Sequence, residues 1–502
     1  MVVLCLPPSA AAQLPPVGVP SGMVRVELEG SLETFDRRFR AGNLESYAAD
    51  LFSNPLGSER IPGLAESEAR IGRVTGDAGY RLNLGTLAAD AHADVGLGWL
   101  GLSLGLPNNI TLFGRIPLVR SRVQTALNLD PTSANAGLNP GESDQLVFLS
   151  NMDAALATLS AKLAAGDYDT NPSQRALAEA TLADATALRA DLFSLLADPS
   201  TASPVLPTTS STAGTAMTAR VTALQATLAN DLSVPGFTLV PSLPETPLTE
   251  AELDQALSDP FGPIAVQLGE SRLMFRGDAE VGASLTLVDR WDRGARRGGS
   301  RAAISGLVRF PTGRRESPDR PLDIGTGDGQ TDIQVDAVAD IGSGPFGARI
   351  SGTYVMQRPS HILTRVASPD QPFAGLDRLT RVRRDPGEIV ALRAYPFYRL
   401  ARTLALQAGV EHWSRGSDSY TYASPEDERP GIDPNVLAED SETNATLLSV
   451  GITYSNPGRL RPGGTGLPVD ATWSYERLLR ASGRVPNSHA VRARFRVYFG
   501  VW

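Results

Sequence analysis

Among 502 residues the chain has one cysteine, Cys5, and one lysine, Lys162. Cys5 lies in an N-terminal stretch that reads as the apolar and cleavage regions of a secretory signal, with Ala10 and Ala12 as the small residues before Gln13. The basic start of such a signal is missing. Cleavage after Ala12 leaves a mature chain with no cysteine and so no disulfide framework. The four histidines, His92, His361, His412 and His489, fall at no metal-ligand spacing. The glycine-rich stretch 325–329 lacks the lysine and the following helix of a phosphate loop, and it reads as a rim loop. No cofactor is expected. A net charge of −9 without a basic cluster argues against nucleic acid as a partner. No run of about eighteen apolar residues stands out, so a helical span is not expected, and the mean hydropathy of −0.11 is that of a soluble protein.

What is present is alternation. From Val491 to Val501 one face reads Val491, Ala493, Phe495, Val497, Phe499, Val501 and the other Arg492, Arg494, Arg496, Tyr498. A strand has period two, so this one needs an apolar neighbour on one side and water or counter-charges on the other. The pattern recurs: Val24, Val26 and Leu28 oppose Arg25, Glu27 and Glu29, and Ile333, Val335, Ala337, Ala339 and Ile341 oppose Asp332, Asp336 and Asp340. A soluble sandwich alternates too, but its strands seldom reach the ten to fifteen residues suggested here. A transmembrane barrel escapes the hydropathy test because only every second residue meets lipid.

The spacing predicts an all-β transmembrane barrel of about 12 antiparallel strands (12–14), over 23–38, 78–106, 109–130, 268–291, 299–312, 329–341, 346–360, 384–399, 402–416, 440–456, 467–481 and 487–502. Short connections such as Pro107-Asn108-Asn109 and 342–345 follow even strands, and long ones (39–77, 131–267, 313–328, 361–383, 417–439) follow odd strands. That asymmetry, with both termini at the short-turn end, is the topology of the outer membrane of a Gram-negative-type bacterium. The domains expected are a signal over 1–12, first strands over 13–130, an insertion over 131–267 and the remaining strands over 268–502.

The insertion differs in kind. Leu149, Met152, Leu156, Leu159 and Leu163 recur at spacings of three and four, as do Leu177, Thr181, Ala185, Leu188, Leu192 and Leu195, and then Met217, Val221, Leu224 and Leu228. These periods specify amphipathic helices, and Thr249-Glu250-Ala251-Glu252 resembles the start of a further one. Strand parity puts this α-helical subdomain on the extracellular side, as a cap or a partly inserted plug.

Two segments carry a family likeness. Gly105-Leu106-Pro107-Asn108-Asn109 running into Ile110–Val119 resembles a hairpin of the outer-membrane transporters named for a meta-pathway of phenol degradation. Gly306–Gly313, with Pro311-Thr312-Gly313, followed by Asp323–Asp332, is similar to that family's second signature. The likeness covers the strands, leaves 131–267 unexplained and implies a porin-like barrel for small, hydrophobic or aromatic molecules. Trp502 falls on the arginine face, one residue out of phase with the usual signal for the barrel-assembly machinery, which with the lipid bilayer and an unknown solute completes the expected partners.

On this parity the candidate lumen-lining residues are Arg25, Glu27, Glu29, Arg115, Glu280, Arg309, Asp332, Asp336, Asp340, Arg349, Glu411, Asp470, Glu476, Arg492, Arg494 and Arg496. Closure brings Glu27 and Glu29 toward Arg492, Arg494 and Arg496, and Arg349 toward the aspartates of 329–341. Such charges either satisfy a barrel interior or also line a polar path. With guanidinium as nearly the only cation, planar carboxylates suit it as partners. Three functions are carried forward: passive passage of small molecules, a structural or adhesive barrel whose cap binds a partner, and a lipid hydrolase using Glu411-His412-Trp413-Ser414. Adjacent strand residues point to opposite faces, so those four do not converge, and no enzyme is expected.

Overall fold

The computed structural model describes residues 18–260, 262–291, 298–401, 403–456, 458 and 465–500. The signal-like segment, Trp502 and most of the turns 292–298 and 457–466 lie outside the described residues.

Twelve antiparallel strands form one closed wall: β1 (Met23–Phe35), β2 (Thr86–Gly105), β3 (Ile110–Asp130), β4 (Ala279–Asp289), β5 (Gly298–Phe310), β6 (Asp332–Ser343), β7 (Phe346–Gln357), β8 (Ile389–Arg399), β9 (Leu404–Arg415), β10 (Thr443–Asn456), β11 (Val469–Ser482) and β12 (His489–Gly500). Each pairs with its neighbours in sequence, and β1 closes the ring on β12, from Met23 opposite Gly500 to Thr34 opposite His489. Closure leaves no free sheet edge, which a barrel in hydrocarbon cannot expose.

The turns follow local chemistry. Asn108 and Asn109 both adopt positive φ, 62° and 61°, the twist that a tight hairpin needs and that asparagine tolerates. Outward residues are aliphatic and exposed, among them Leu28, Leu102, Ile116, Val335, Leu392 and Val450. Phe346, Tyr398, Tyr454 and Phe499 add aromatic rings near the short-turn end, where such barrels carry an interfacial girdle.

Three strand boundaries differ from the sequence reading. The first strand stops at Phe35, and Arg37–Arg40 joins Asn43–Ser46 and Val485–Pro486 in a small sheet at the loop end. The second begins only at Thr86. Leu82 and Leu84 before it alternate because they are buried in the cap, outside the ladder. The stretch 268–291 splits into Ser271–Arg276, paired with upper β3, and β4, paired with lower β3. The break lies at Pro117, which has no N–H for a ladder; its carbonyl instead accepts from Gly277 N at 2.8 Å.

Above the wall, β2 and β3 continue as a paired ribbon from Thr86 opposite Asp130 downward, and helices pack on it. These are α1 (Ala65–Thr75), α2 (Glu142–Ala165), α3 (Pro172–Leu196), α4 (Thr212–Ala226) and α5 (Glu250–Ser258). Thr249 and Glu252 form the capping box that opens α5. Helix α1 lies in the connection read from sequence as a plain loop. It packs on α3 and α4, so the cap draws on two loops rather than the insertion alone. Helix α2 is long and apolar enough to cross a membrane by composition, contrary to the sequence reading, yet its stripe of Phe148, Leu149, Met152 and Leu159 is buried within the cap. One apolar core joins these helices to Leu87, Val95, Val119 and Val123 of the ribbon and to Ile324 and Phe373 of later loops.

Candidate functional site

The strand registers put all sixteen candidate residues on the inward parity, where counter-charges meet across neighbouring strands. Arg494 Nε lies 2.6 Å from Glu29 and Arg496 bonds Glu27, so the seam between first and last strands is laced by ions. Arg349 Nε lies 2.5 Å from Asp340, whose other oxygen receives Arg301 Nη2 at 2.7 Å. Arg309 bridges Glu280 and Asp332, each at 2.9 Å, and Arg115 shares Glu280. Arg393 pairs with Glu411 and Arg492 with Glu476, each at 3.0 Å. Tyr498 donates to Asp470 at 2.8 Å, while Thr353 and Gln334 bond Asp336. Most of these ions are buried, which is tolerable because their charges meet counter-ions or, at Asp336 and Asp470, neutral hydrogen-bond donors.

Several inward residues were missed. Arg301 shares the parity of Arg309, so the signal was present and unused. Arg393 faces inward beside the candidate Glu411. Trp99 and Phe113 also face inward, and the Arg115 guanidinium lies 5.0 Å from the centre of the Trp99 ring. The β2–β3 side of the interior thus adds aromatic rings beside Arg115. Glu411 points inward and His412 outward, where the latter meets Thr446 at 3.0 Å.

Two spaces lie along the interior. A cavity of about 180 Å³ at mid-depth is bounded by Arg25, Glu27, Phe113, Arg115, Leu307, Asp336, Ser351 and Arg393 among others. A second of about 100 Å³ lies at the loop end, between Glu33, Arg384, Trp413, Asp418 and Arg484. The glycine-rich rim loop folds into the mouth: Ser121, inward on β3, donates to the Ile324 carbonyl at 3.0 Å, and Thr326 donates to Arg276 O at 2.9 Å.

At the mouth four loops are tied by ions. Arg484 reaches Asp50 at 2.7 Å, Asp370 at 3.2 Å and Asp440 at 3.5 Å, and Arg40 meets Asp370 at 2.8 Å and Asp440 at 2.9 Å. The hydrogen bond from Arg40 holds the Asp370 carboxyl below the usual carboxylate range, against a smaller cost of burial.

The apolar outer wall and charged interior of this closed barrel make it a membrane-spanning protein of the outer-membrane type. No family model and no curated protein matches the chain. Among solved structures it is similar to an outer membrane channel from Pseudomonas putida F1, at 10% identity over 97% of this chain and 100% of that one, with a TM-score of 0.44. A FadL homologue from Pseudomonas aeruginosa matches at 9% identity over 96% of this chain and 90% of that one, with a TM-score of 0.27. The translocator domain of the autotransporter NalP from Neisseria meningitidis matches at 7% over 95% and 88%, with a TM-score of 0.31. The architecture therefore rests on the strand pairings themselves.

Proposed function

We propose that the protein is an outer-membrane channel through which small molecules, including those with apolar or aromatic bodies, pass along the barrel interior without an energy source. The observation that carries this reading is the closed wall around an interior where Trp99 and Phe113 stand among arginines and carboxylates, with spaces at mid-depth and at the mouth. The lipid bilayer is its solvent and the assembly machinery its route into it. Opposite-face placement of Glu411 and His412 supports a non-enzymatic role.

Planar bilayers containing the purified protein should show discrete conductance steps and flux of small solutes. A barrel that never conducts, in any state of its loops, would remove the reading.

A further inference from the structure

We propose that the mid-depth cavity binds a small monocarboxylate with an apolar body, its carboxylate held by Arg393 and Ser351; this rests on the channel reading and names its solute class. The cavity wall carries six guanidinium groups, those of Arg25, Arg115, Arg349, Arg393, Arg494 and Arg496, against two carboxylates, Glu27 and Asp336. The further acids that balance these arginines, such as Glu29, Glu280, Asp340 and Glu411, lie outside the lining, so guanidinium groups outnumber carboxylates on the surface that faces the space.

The buried donors without a hydrogen-bond acceptor there include one on each of two facing residues. Arg393 Nη2 and Ser351 Oγ are buried, their residues 3% and 6% exposed, and neither meets a hydrogen-bond partner among the described residues. They are direct cross-strand partners on β7 and β8, close enough to engage one group together. Arg393 is already oriented: Nη1 donates to Thr353 Oγ1 at 2.8 Å and Nε faces Glu411 at 3.0 Å, which leaves Nη2 for a ligand. A buried donor without an acceptor is costly, and the two oxygens of a carboxylate would satisfy both donors at once. Phe113 and Leu307 crowd over Gly282 and bring an apolar surface to the same space, which suits a hydrocarbon body better than a second charge.

Benzoate and its neutral counterpart benzyl alcohol serve as probes. Calorimetry on the full-length protein in detergent micelles should give saturable benzoate binding, with benzyl alcohol at least tenfold weaker. Arg393→Gln should weaken benzoate roughly tenfold or more, and Ser351→Ala roughly threefold. Should Arg393→Gln fail to fold, as seen by loss of the heat-modifiable band on gels, Ser351→Ala decides, because its hydroxyl supports no other bond among the described residues. Equal affinity for the two probes, or benzoate binding untouched by the Ser351 change, overturns the site. Conductance that treats both probes alike, with no benzoate bound in micelles, removes the site and leaves the channel; benzoate binding in a barrel that never conducts removes the channel and leaves the site.

Discussion

At the scale of single residues the barrel depends on matched charge and close approach. Asp340, 1% exposed, accepts from Arg301 on one neighbouring strand and Arg349 on the other. Asp340→Leu leaves two buried guanidiniums facing each other without their acid. It should cost about 3–5 kcal/mol, read as earlier unfolding in denaturant titrations of the micelle-bound protein. Gly409 carries a different constraint: a Cβ there would collide with the Tyr395 ring on the adjacent strand and with Ser449. Gly409→Val should destabilise by about 1–3 kcal/mol in the same titration, whereas a change at outward Val410 to leucine should be nearly silent.

At the scale of elements, the long connections behave as one tied assembly. Asp370, bonded by Arg40 and faced by Arg484, is held ionised below its ordinary range. A carboxyl with a depressed folded value contributes stability that is present above the unfolded value, near ~4, and lost as pH falls through the folded one. Loop amides around 36–50 and 365–378 should therefore keep their protection from hydrogen exchange from pH 8 down to about 4 and lose it only below that. Asp370→Asn should bring the same loosening at pH 7, while exchange in the strands of the wall stays unchanged. Helix α1 shows why such elements escape a pattern search. Its buried apolar stripe is little more than Ile71 and Val74, and Gly76 at a φ of 79° ends it after three turns. Its helicity comes from packing on α3 and α4, which lie more than ninety residues further on.

At the scale of the whole molecule, the wall's hydrogen-bonded ladders do not depend on the insertion. The ring of twelve strands closes with no residue between Pro131 and Gln267 in any of its ladders. Deleting residues 140–260 should leave a folded, heat-modifiable barrel. If the cap is only an obstruction, solute flux through it should equal or exceed that of the intact chain, because the insertion adds no strand to the wall. Were the cap a docking module, its loss would instead abolish a partner's binding and leave flux as it was; planar-bilayer recording with pull-down of labelled cap distinguishes the two.

The sequence by itself determined the strand count, the alternation of faces, the asymmetry of turns and loops and the helices of the insertion, because each is set by a period of two or of about four residues along a local stretch. The inward parity of sixteen charged residues was legible for the same reason. Only the tertiary structure decided that Pro117 splits the strand beside it, that α1 completes the cap, that the rim loop turns into the mouth, and that Arg393 and Ser351 face one cavity with a donor each to spare. Those facts depend on which distant segments meet, and packing at long range leaves no period in the chain to read.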